Sequence, residues 1–192
     1  MAERVRITDV SPRDGLQNEP LRADGSAIPT EDKARLVRAL SVTGVDEIEV
    51  TSFVSPRWVP QLGDAAELCK LVTRAKPIGL SMSALVPNEK GMRALLDAND
   101  SVGMKLIDKA SVFAAASETF SQKNTNATIA ETIERFGPIV PMARDHGLAM
   151  RGYVSCVIAC PFEGAITPEA VLGVCRMLEE LGVDEIDLGD TI

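Results

Sequence analysis

The apolar residues of this chain alternate between short runs rich in β-branched residues and longer stretches with a helical spacing. Short runs at 6–10, 47–53, 78–86, 110–115, 150–158 and 185–188 predict six strands. Stretches at 30–44, 65–73, 91–98, 128–147 and 167–181 have apolar residues three and four apart and predict five helices. Strands that alternate with helices in this way are typical of a parallel α/β fold.

Local signals set the limits of the predicted helices. We expect Thr30 to be the N-cap of the first helix, and Thr167, which is followed by Pro168, to be the N-cap of the last. Pro138 and Pro141 should kink or break the fourth helix, because proline cannot donate the helical hydrogen bond.

A short sequence repeat supports the same architecture. The segment Gly44–Glu49 reads GVDEIE and recurs at Gly182–Asp187 as GVDEID, each time where a helix ends and a strand begins. Six strands and five helices fit a TIM (β/α)8 barrel cut short, since a whole barrel needs ~250 residues. We therefore interpret residues 1–192 as the N-terminal part of a single TIM-barrel domain without strands seven and eight. A doubly wound open sheet is the alternative, disfavoured because no Gly-rich phosphate loop follows the first strand.

Composition narrows the class of partners. The chain has 20 Lys and Arg against 28 Asp and Glu, a net charge of −8, and only 4% aromatic residues. An acidic chain with no basic run is a poor binder of nucleic acid or anionic membranes. No apolar run reaches the ~18–20 residues that span a bilayer. Because the first strand begins close to Met1, we expect no targeting leader and a cytoplasmic protein.

The four cysteines do not have the spacing of a structural zinc site. Cys69, Cys156, Cys160 and Cys175 form no C-x-x-C pair, and the chain has one histidine. We expect reduced, mostly buried thiols at Cys69 and Cys175.

Candidate chemistry lies at the carboxyl ends of the strands, where TIM barrels hold their active sites. Arg13 and Asp14 come directly after the first strand. They could form a surface ion pair, form a structural pair, or act as a catalytic cation beside a metal-binding carboxylate. Glu49 and Thr51 share a face of the second strand. Glu49 needs a cation inside a barrel, and Arg13 is the nearest choice.

The fifth and sixth strands add further polar candidates. Arg151 is expected to point inward near the lower end of its strand or to pair with an acid. Asp190 comes directly after the sixth strand, in the position of a strand-end catalytic or structural acid.

Five motifs in order resemble those of the 3-hydroxy-3-methylglutaryl-CoA lyase family, over essentially the whole chain. They lie at 11–19 (SPRDGLQNE), 49–61 (EVTSFVSPRWVPQ), 113–118 (FAAASE), 151–156 with 160–164 (RGYVSC, CPFEG), and 188–192 (LGDTI). The isopropylmalate and homocitrate synthases and the carboxyltransferase domains of the wider superfamily share the Arg-Asp-Gly core, but as a rule not the ends of the first two motifs.

The resemblance implies a metal-assisted retro-Claisen lyase. Its substrate would be 3-hydroxy-3-methylglutaryl-CoA, a small-molecule acyl-CoA, cleaved to acetyl-CoA and acetoacetate in leucine degradation and ketone body formation. A divalent cation, Mg or Mn, would hold the substrate's tertiary hydroxyl and an adjacent oxygen. We expect the full-length protein to be a homo-oligomer, a dimer.

Residue roles also follow from the resemblance. Asp14 resembles the metal ligand, Arg13 the cation that stabilises the enolate oxygen, and Glu49 the acid that supports both. Six further positions match residues of the substrate pocket: Gln17, Ser52, Ser117, Arg151, Asp190 and Thr191.

Some family features do not occur in these 192 residues. The family's His-x-His pair, its metal-binding Asn and its cysteine-bearing glycine loop belong to later strands. We therefore expect the 192-residue chain alone to be inactive. A truncated, non-catalytic barrel fragment, and a condensing enzyme such as an isopropylmalate synthase, remain alternatives. The segment 99–109 also looks longer than the family's usual link into the fourth strand.

Overall fold

The computed structural model describes residues 4–192 of the chain, so Met1 lies outside the described residues. The strands are β1 Thr8–Asp9, β2 Glu47–Ser52, β3 Ser81–Leu85, β4 Lys109–Ala115, β5 Ala149–Ser155, β6 Ala159–Cys160, β7 Gly164–Ala165 and β8 Glu185–Leu188. The helices are α1 Thr30–Leu40, α2 Ala65–Val72, α3 Glu89–Ser101, α4 Glu118–Thr125, α5 Ile129–Glu134, α6 Ile139–Asp145 and α7 Pro168–Leu181. None of the described helices is long and apolar enough to cross a membrane.

The first compact unit contains residues up to Val86 together with Lys90–Lys109. In it β1, β2 and β3 lie side by side and run parallel, with Glu47 opposite both Thr8 and Ser81. All six residues of β2 are buried, as expected for a parallel strand covered on both faces. Its apolar core includes Val37, Ile48, Val50, Leu62, Leu68, Val72, Met82, Met92 and Leu95.

The second compact unit contains Pro87–Glu89 together with Ala110–Ile192. Here β4, β5 and β8 are neighbours, and β5 runs parallel to β8 with Arg151 opposite Glu185. The short strands β6 and β7 form an antiparallel hairpin that the sequence pattern did not predict. The core of this unit includes Val112, Ile133, Phe136, Ile139, Val154, Val174 and Leu178.

The predicted starts and breaks of the helices are confirmed in part. Thr167 accepts a hydrogen bond from the N–H of Ala170 and caps α7, as predicted. The predicted helix over 128–147 is broken into α5 and α6, and Pro138 stands at the start of α6. Thr30 as an N-cap was wrong: its hydroxyl donates to a carboxylate oxygen of Asp64 over 2.7 Å. The N-cap position falls on Pro29, so Thr30 is the first residue inside the helix, whereas a capping side chain stands just before it.

Two strands begin later than predicted. The first strand has only Thr8 and Asp9, and the third begins at Ser81 rather than at Ile78. Ile78 is fully exposed, because the chain turns there through Gly79 with a φ of +93°. β-branched composition alone did not reveal this turn.

The segment before β4 is shorter than it looked from the sequence. Helix α3 continues to Ser101, and the remaining loop is closed by Asn99, whose side chain bonds both the N–H and the carbonyl of Ile107 over 2.9 and 3.0 Å. A single buried amide therefore fixes the return of the chain into β4.

Candidate active site

Arg13 lies in a single helical turn, Ser11–Gly15, that follows β1. The carbonyl of Val10 accepts from the N–H groups of Arg13 and Asp14 over 3.1 and 2.7 Å, which winds the chain tightly at the strand end. Proline at the second position of the turn needs no hydrogen-bond acceptor. The Arg13 side chain is thereby buried at the carboxyl end of a parallel strand.

Arg13 and Glu49 form a buried ion pair. The Nε of Arg13 donates to Oε2 of Glu49 over 2.5 Å, and Glu49 is fully buried in β2. The partner predicted for Glu49 is therefore present. Each charge offsets the desolvation cost of the other, so this pair holds a guanidinium in a site largely closed to water.

Asp14 joins the same guanidinium from the other side. The Nη1 of Arg13 donates to Oδ1 of Asp14 over 2.6 Å, and Nε2 of Gln17 donates to the same oxygen over 2.7 Å. The Asp14 side chain is half exposed. Arg13 thus bridges one buried and one accessible carboxylate. With Gln17, four predicted site residues of the first unit are linked by hydrogen bonds.

Several polar atoms near this pair have no hydrogen-bond partner among the described residues. They are Oε1 of Glu49, Oγ1 of Thr51, and the Oγ atoms of Ser52 and Ser83. Ser83 on β3 is the register partner of Glu49. The shared face predicted for Glu49 and Thr51 was wrong, because a register shift between them puts Ser52, at the end of β2, on the face of Glu49 instead. Buried polar atoms are normally paired, so a cluster of unpaired ones at strand ends is typical of a binding site.

The described residues do not complete a divalent-cation site. Among residues 4–192, no three His, Cys, Asp or Glu side chains are arranged to hold a metal ion. Asp14 offers one accessible carboxylate, and its Oδ1 already accepts two hydrogen bonds. Hard cations such as Mg²⁺ take several oxygen ligands, so Asp14 could supply only part of a set.

Ser117 has a structural contact in the second unit. It is the N-cap of α4, a helix that the sequence pattern missed, and its Oγ accepts from the N–H of Phe120 over 3.0 Å. The same hydroxyl lies 3.1 Å from Sγ of Cys160 and donates to it. The missed signal was the Ser-Glu start of a helix, which follows a strand without the usual loop.

The two cysteines after β5 differ in acidity. Burial raises the pKa of the Cys156 thiol. Burial opposes ionisation of Cys160 as well, but the Ser117 hydroxyl and the backbone N–H groups of Phe162 and Glu163 lower the pKa of its thiol. Cys156 adopts a φ of +60°, unusual for a side-chain-bearing residue. Its N–H donates to Oγ1 of the predicted pocket residue Thr191 over 2.8 Å.

Arg151 is buried against an acid, one of the two positions expected for it. Its Nε and Nη2 both donate to Oε1 of Glu185 over 2.8 and 2.5 Å, and its Nη1 donates to the Tyr153 hydroxyl over 3.2 Å. This pair lies near the starts of β5 and β8, whereas Asp190 follows the end of β8 and is exposed. The substrate roles of both residues stay predictions.

Two buried polar clusters of the first unit escaped the sequence reasoning. Glu47 accepts from Nζ of Lys109 over 2.6 Å, with both side chains almost fully buried. Gln61 is 1% exposed, and its carbonyl accepts from Lys33. The one available signal was the place of Gln61 at the end of the second family-like motif, since loop polar residues are usually exposed.

The chain matches a known family over nearly its whole length. A family model described as HMGL-like covers residues 4–192. A Pseudomonas aeruginosa protein named 3-hydroxy-3-isohexenylglutaryl-CoA/hydroxy-methylglutaryl-CoA lyase is 45% identical over 192 residues, all of this chain and 59% of its own length. The chain thus spans less than two thirds of this relative.

Solved structures agree. The HMG-CoA lyase from Brucella melitensis is 47% identical with a TM-score of 0.87, covering 100% of this chain and 62% of its own. An HMG-CoA lyase from Acinetobacter baumannii, solved in complex with coenzyme A and 3-methylmalate, is 32% identical with a TM-score of 0.83, covering 95% and 55%.

These matches confirm the predicted fold class, an α/β TIM barrel, of whose eight strands this chain contains six. They also confirm the resemblance that the five motifs indicated. The site roles, the metal and the oligomer stay predictions. The chain belongs to the HMGL-like family.

Proposed function

We propose that the protein containing this chain is a carbon–carbon lyase that cleaves 3-hydroxy-3-methylglutaryl-CoA to acetyl-CoA and acetoacetate. The observation that carries this proposal is the buried guanidinium of Arg13, held between Glu49 and Asp14 at a strand end. The 45% identity to a relative named as such a lyase supports the substrate class.

The chemistry needs a fixed positive charge beside a thioester. Removal of the proton from the C3 hydroxyl lets the C2–C3 bond break as the C3–O bond becomes the ketone of acetoacetate. The bonding electron pair passes to C2 and onto the thioester oxygen as an enolate, and protonation of C2 gives acetyl-CoA. An oriented donor at the enolate oxygen lowers the barrier because negative charge develops there.

Arg13 is the residue suited to this task. Its ion pairs with Glu49 and Asp14 fix the guanidinium on two of its edges before substrate arrives, so little reorganisation is needed. Glu49 acts through Arg13 and is a positioning residue. The hydroxyl of Ser52, on the same face of β2 as Glu49, is suited to a hydrogen bond with a substrate oxygen.

We also propose that Asp14 supplies one ligand to a Mg or Mn ion. Such an ion would acidify the substrate's hydroxyl when bound. The described residues hold no complete ligand set, so we assign no step to the metal. Calorimetric titration of the full-length protein with Mn²⁺ tests the ligand: Asp14→Asn should weaken binding by about tenfold or more, since the cation prefers an anionic oxygen. Unchanged affinity would remove Asp14 from the site.

The proposal is tested by product analysis on the full-length protein. Incubation with 3-hydroxy-3-methylglutaryl-CoA should release acetyl-CoA and acetoacetate in equal amounts. Incubation with acetyl-CoA and 2-oxoisovalerate should release no free CoA. The reverse pattern would favour the condensing-enzyme alternative, and inactivity in both assays would favour a non-catalytic barrel.

A further inference from the structure

Gln61 has a role that the proposed mechanism does not use. It lies in the helical turn Pro60–Leu62 after β2 and is 1% exposed. Its Nε2 donates to the carbonyls of Glu19 and Pro20 over 3.0 and 3.1 Å. Its Oε1 accepts from the N–H of Ile28 over 2.9 Å. One buried amide therefore bonds three backbone groups that are more than 30 residues away in the chain.

All three groups belong to one loop, residues 18–28, which we call the β1–α1 loop. Residues 18–26 are exposed, so apolar burial contributes little to its order. The tip has a turn of its own, in which Arg22 donates its N–H to the carbonyl of Ser26 and accepts from Gly25, both over 2.8 Å. Gln61 closes the base of the loop. Its amide nitrogen donates to the first half of the loop, at Glu19 and Pro20, and its amide oxygen accepts from the last loop residue, Ile28.

The amide is itself held in place. The Nζ of Lys33 donates to the backbone carbonyl of Gln61 and to both carboxylate oxygens of Asp64, the latter over 2.8 and 2.9 Å. Lys33 is 1% exposed, and Thr30 donates to the same carboxylate. The backbone of Gln61 is thus held against the start of α1 by Lys33, which also bonds Asp64 just before α2, and Gln61 is not a mobile surface residue.

The start of the loop leads directly to the proposed site. Gln17, which donates to Asp14, stands two residues before Glu19, and the N–H of Glu19 donates to the carbonyl of Leu16 over 3.1 Å. A shift of the Glu19 backbone would therefore move Gln17 and, with it, the carboxylate that contacts Arg13.

We propose that Gln61 is a positioning residue whose amide holds the β1–α1 loop and, through it, the Asp14–Gln17 contact beside Arg13. The effect on turnover rests on the proposed function. The effect on the loop rests on the hydrogen bonds of Gln61 alone.

The loop is tested by limited trypsin digestion of the full-length protein. Gln61→Met keeps the side-chain length but removes all three hydrogen bonds, and Gln61→Glu keeps the acceptor but loses the donor. Both should speed cleavage after exposed Arg22 about tenfold or more, because local opening exposes the loop. Cleavage after exposed Lys105, in another loop of the same unit, should not change. Gln122→Met, on an exposed position of α4, is the matched control.

The positioning role is tested by kinetics at a temperature where each variant is folded. Gln61→Met and Gln61→Glu should lower kcat about tenfold with less than about a threefold change in KM, since misplaced catalytic groups slow the chemical step. Gln122→Met should match the wild type. If Gln61→Met does not fold, Gln61→Glu carries the same comparison.

Each outcome decides one part. Wild-type cleavage at Arg22 in both Gln61 variants would overturn the loop assignment. Faster cleavage with unchanged kcat would overturn the positioning role and leave Gln61 as a structural clasp. A wild-type protein without lyase turnover would overturn the proposed function, while the trypsin result would still decide whether Gln61 holds the loop.

Discussion

The two copies of the sequence repeat build the same backbone contact in different units. Asp46 donates its N–H to the carbonyl of Ile7 and accepts the N–H of Ile7 on its side chain, both over 2.9 Å. Asp184 makes the same pair of bonds with Met150 over 2.9 and 2.8 Å. Each aspartate thus fastens the start of its own strand to the start of the strand beside it.

The acids at the ends of the two repeat copies, Glu49 and Asp187, differ in burial and in their partners. In the first copy, Glu49 is fully buried against Arg13 at the strand end. Its counterpart Asp187 is only partly buried. The acids at the strand starts are used alike, since Glu47 pairs with Lys109 and Glu185 pairs with Arg151. A repeated sequence therefore fixes the local backbone, whereas the chemistry depends on which cation another segment brings. This difference predicts turnover effects at Glu49 and stability effects at Glu185.

The largest effect is expected from the partner of Glu49. In the full-length protein, Arg13→Lys keeps the charge but loses the planar donor fork that reaches both carboxylates. We expect kcat to fall about 10²-fold or more with little change in KM, because the lost contact acts on the transition state. Steady-state kinetics with 3-hydroxy-3-methylglutaryl-CoA measures this.

Arg35→Lys is the matched control for that substitution. Arg35 is exposed on α1 and pairs with Asp32 one helical turn away, so its replacement should leave kcat and KM at wild-type values. An Arg13→Lys enzyme with wild-type kcat would exclude Arg13 from the mechanism.

Much of the fold could be predicted because apolar spacing and caps report burial directly. Thr167, Pro168 and the apolar stripe of α7 all agreed on that helix. The errors came at element ends, as where α1 begins with Thr30 itself and Pro29 occupies the N-cap position. Helix α4 was missed because it is short and amphipathic spacing could not mark it.

The site was predictable only where burial forced a partner. A buried Glu49 requires a cation, and this requirement predicts Arg13, with which Glu49 is paired in the structure. Gln61 could not be found in this way, because a neutral amide in a loop carries no charge that demands a partner. Which of its donors and acceptors are used depends on how the loop folds back.

A smaller effect is expected at the ion pair of the second unit. Glu185→Gln removes the charge that offsets buried Arg151, so the free energy of unfolding should fall by about 2 kcal/mol, less than for a fully buried pair because Glu185 is partly exposed. Urea unfolding measures this loss. The position of the pair near the strand starts predicts an unchanged KM. A tenfold rise in KM would instead support the predicted substrate role of Arg151, and an unchanged stability would contradict the proposed contrast.

The shared aspartate contact gives a direct test of equivalence. Asp46→Ala and Asp184→Ala each remove a side-chain acceptor from a strand N–H, and each should lower the free energy of unfolding by about 1 kcal/mol. Asp46 also pairs with exposed Arg4, which adds little in water. Asp24→Ala is the control, because Asp24 lies in the exposed loop tip and its side chain accepts hydrogen bonds only within a local turn, from Ser26. Losses that differ several-fold would show that the repeat is similar in sequence only.

The smallest effect is expected where a carboxylate of the second unit is exposed. Hydrogen bonds from Thr119, at the start of α4, lower the pKa of Glu163 from its ordinary value of 4.5. A depressed pKa in the folded state means that Glu163 stabilises the protein above its unfolded pKa and loses that effect as the pH falls through the folded pKa. Glu163→Gln should therefore lower the Tm slightly at pH 7, and the difference from the wild type should shrink as the pH falls through the lowered pKa of Glu163. Thermal melts of both proteins from pH 7 to pH 3 measure this.

Because Glu163 is exposed while Glu49 is buried, Glu163→Gln should cost much less stability at pH 7 than Glu49→Gln. A Tm difference that does not change with pH would show that the amide acts through packing rather than charge.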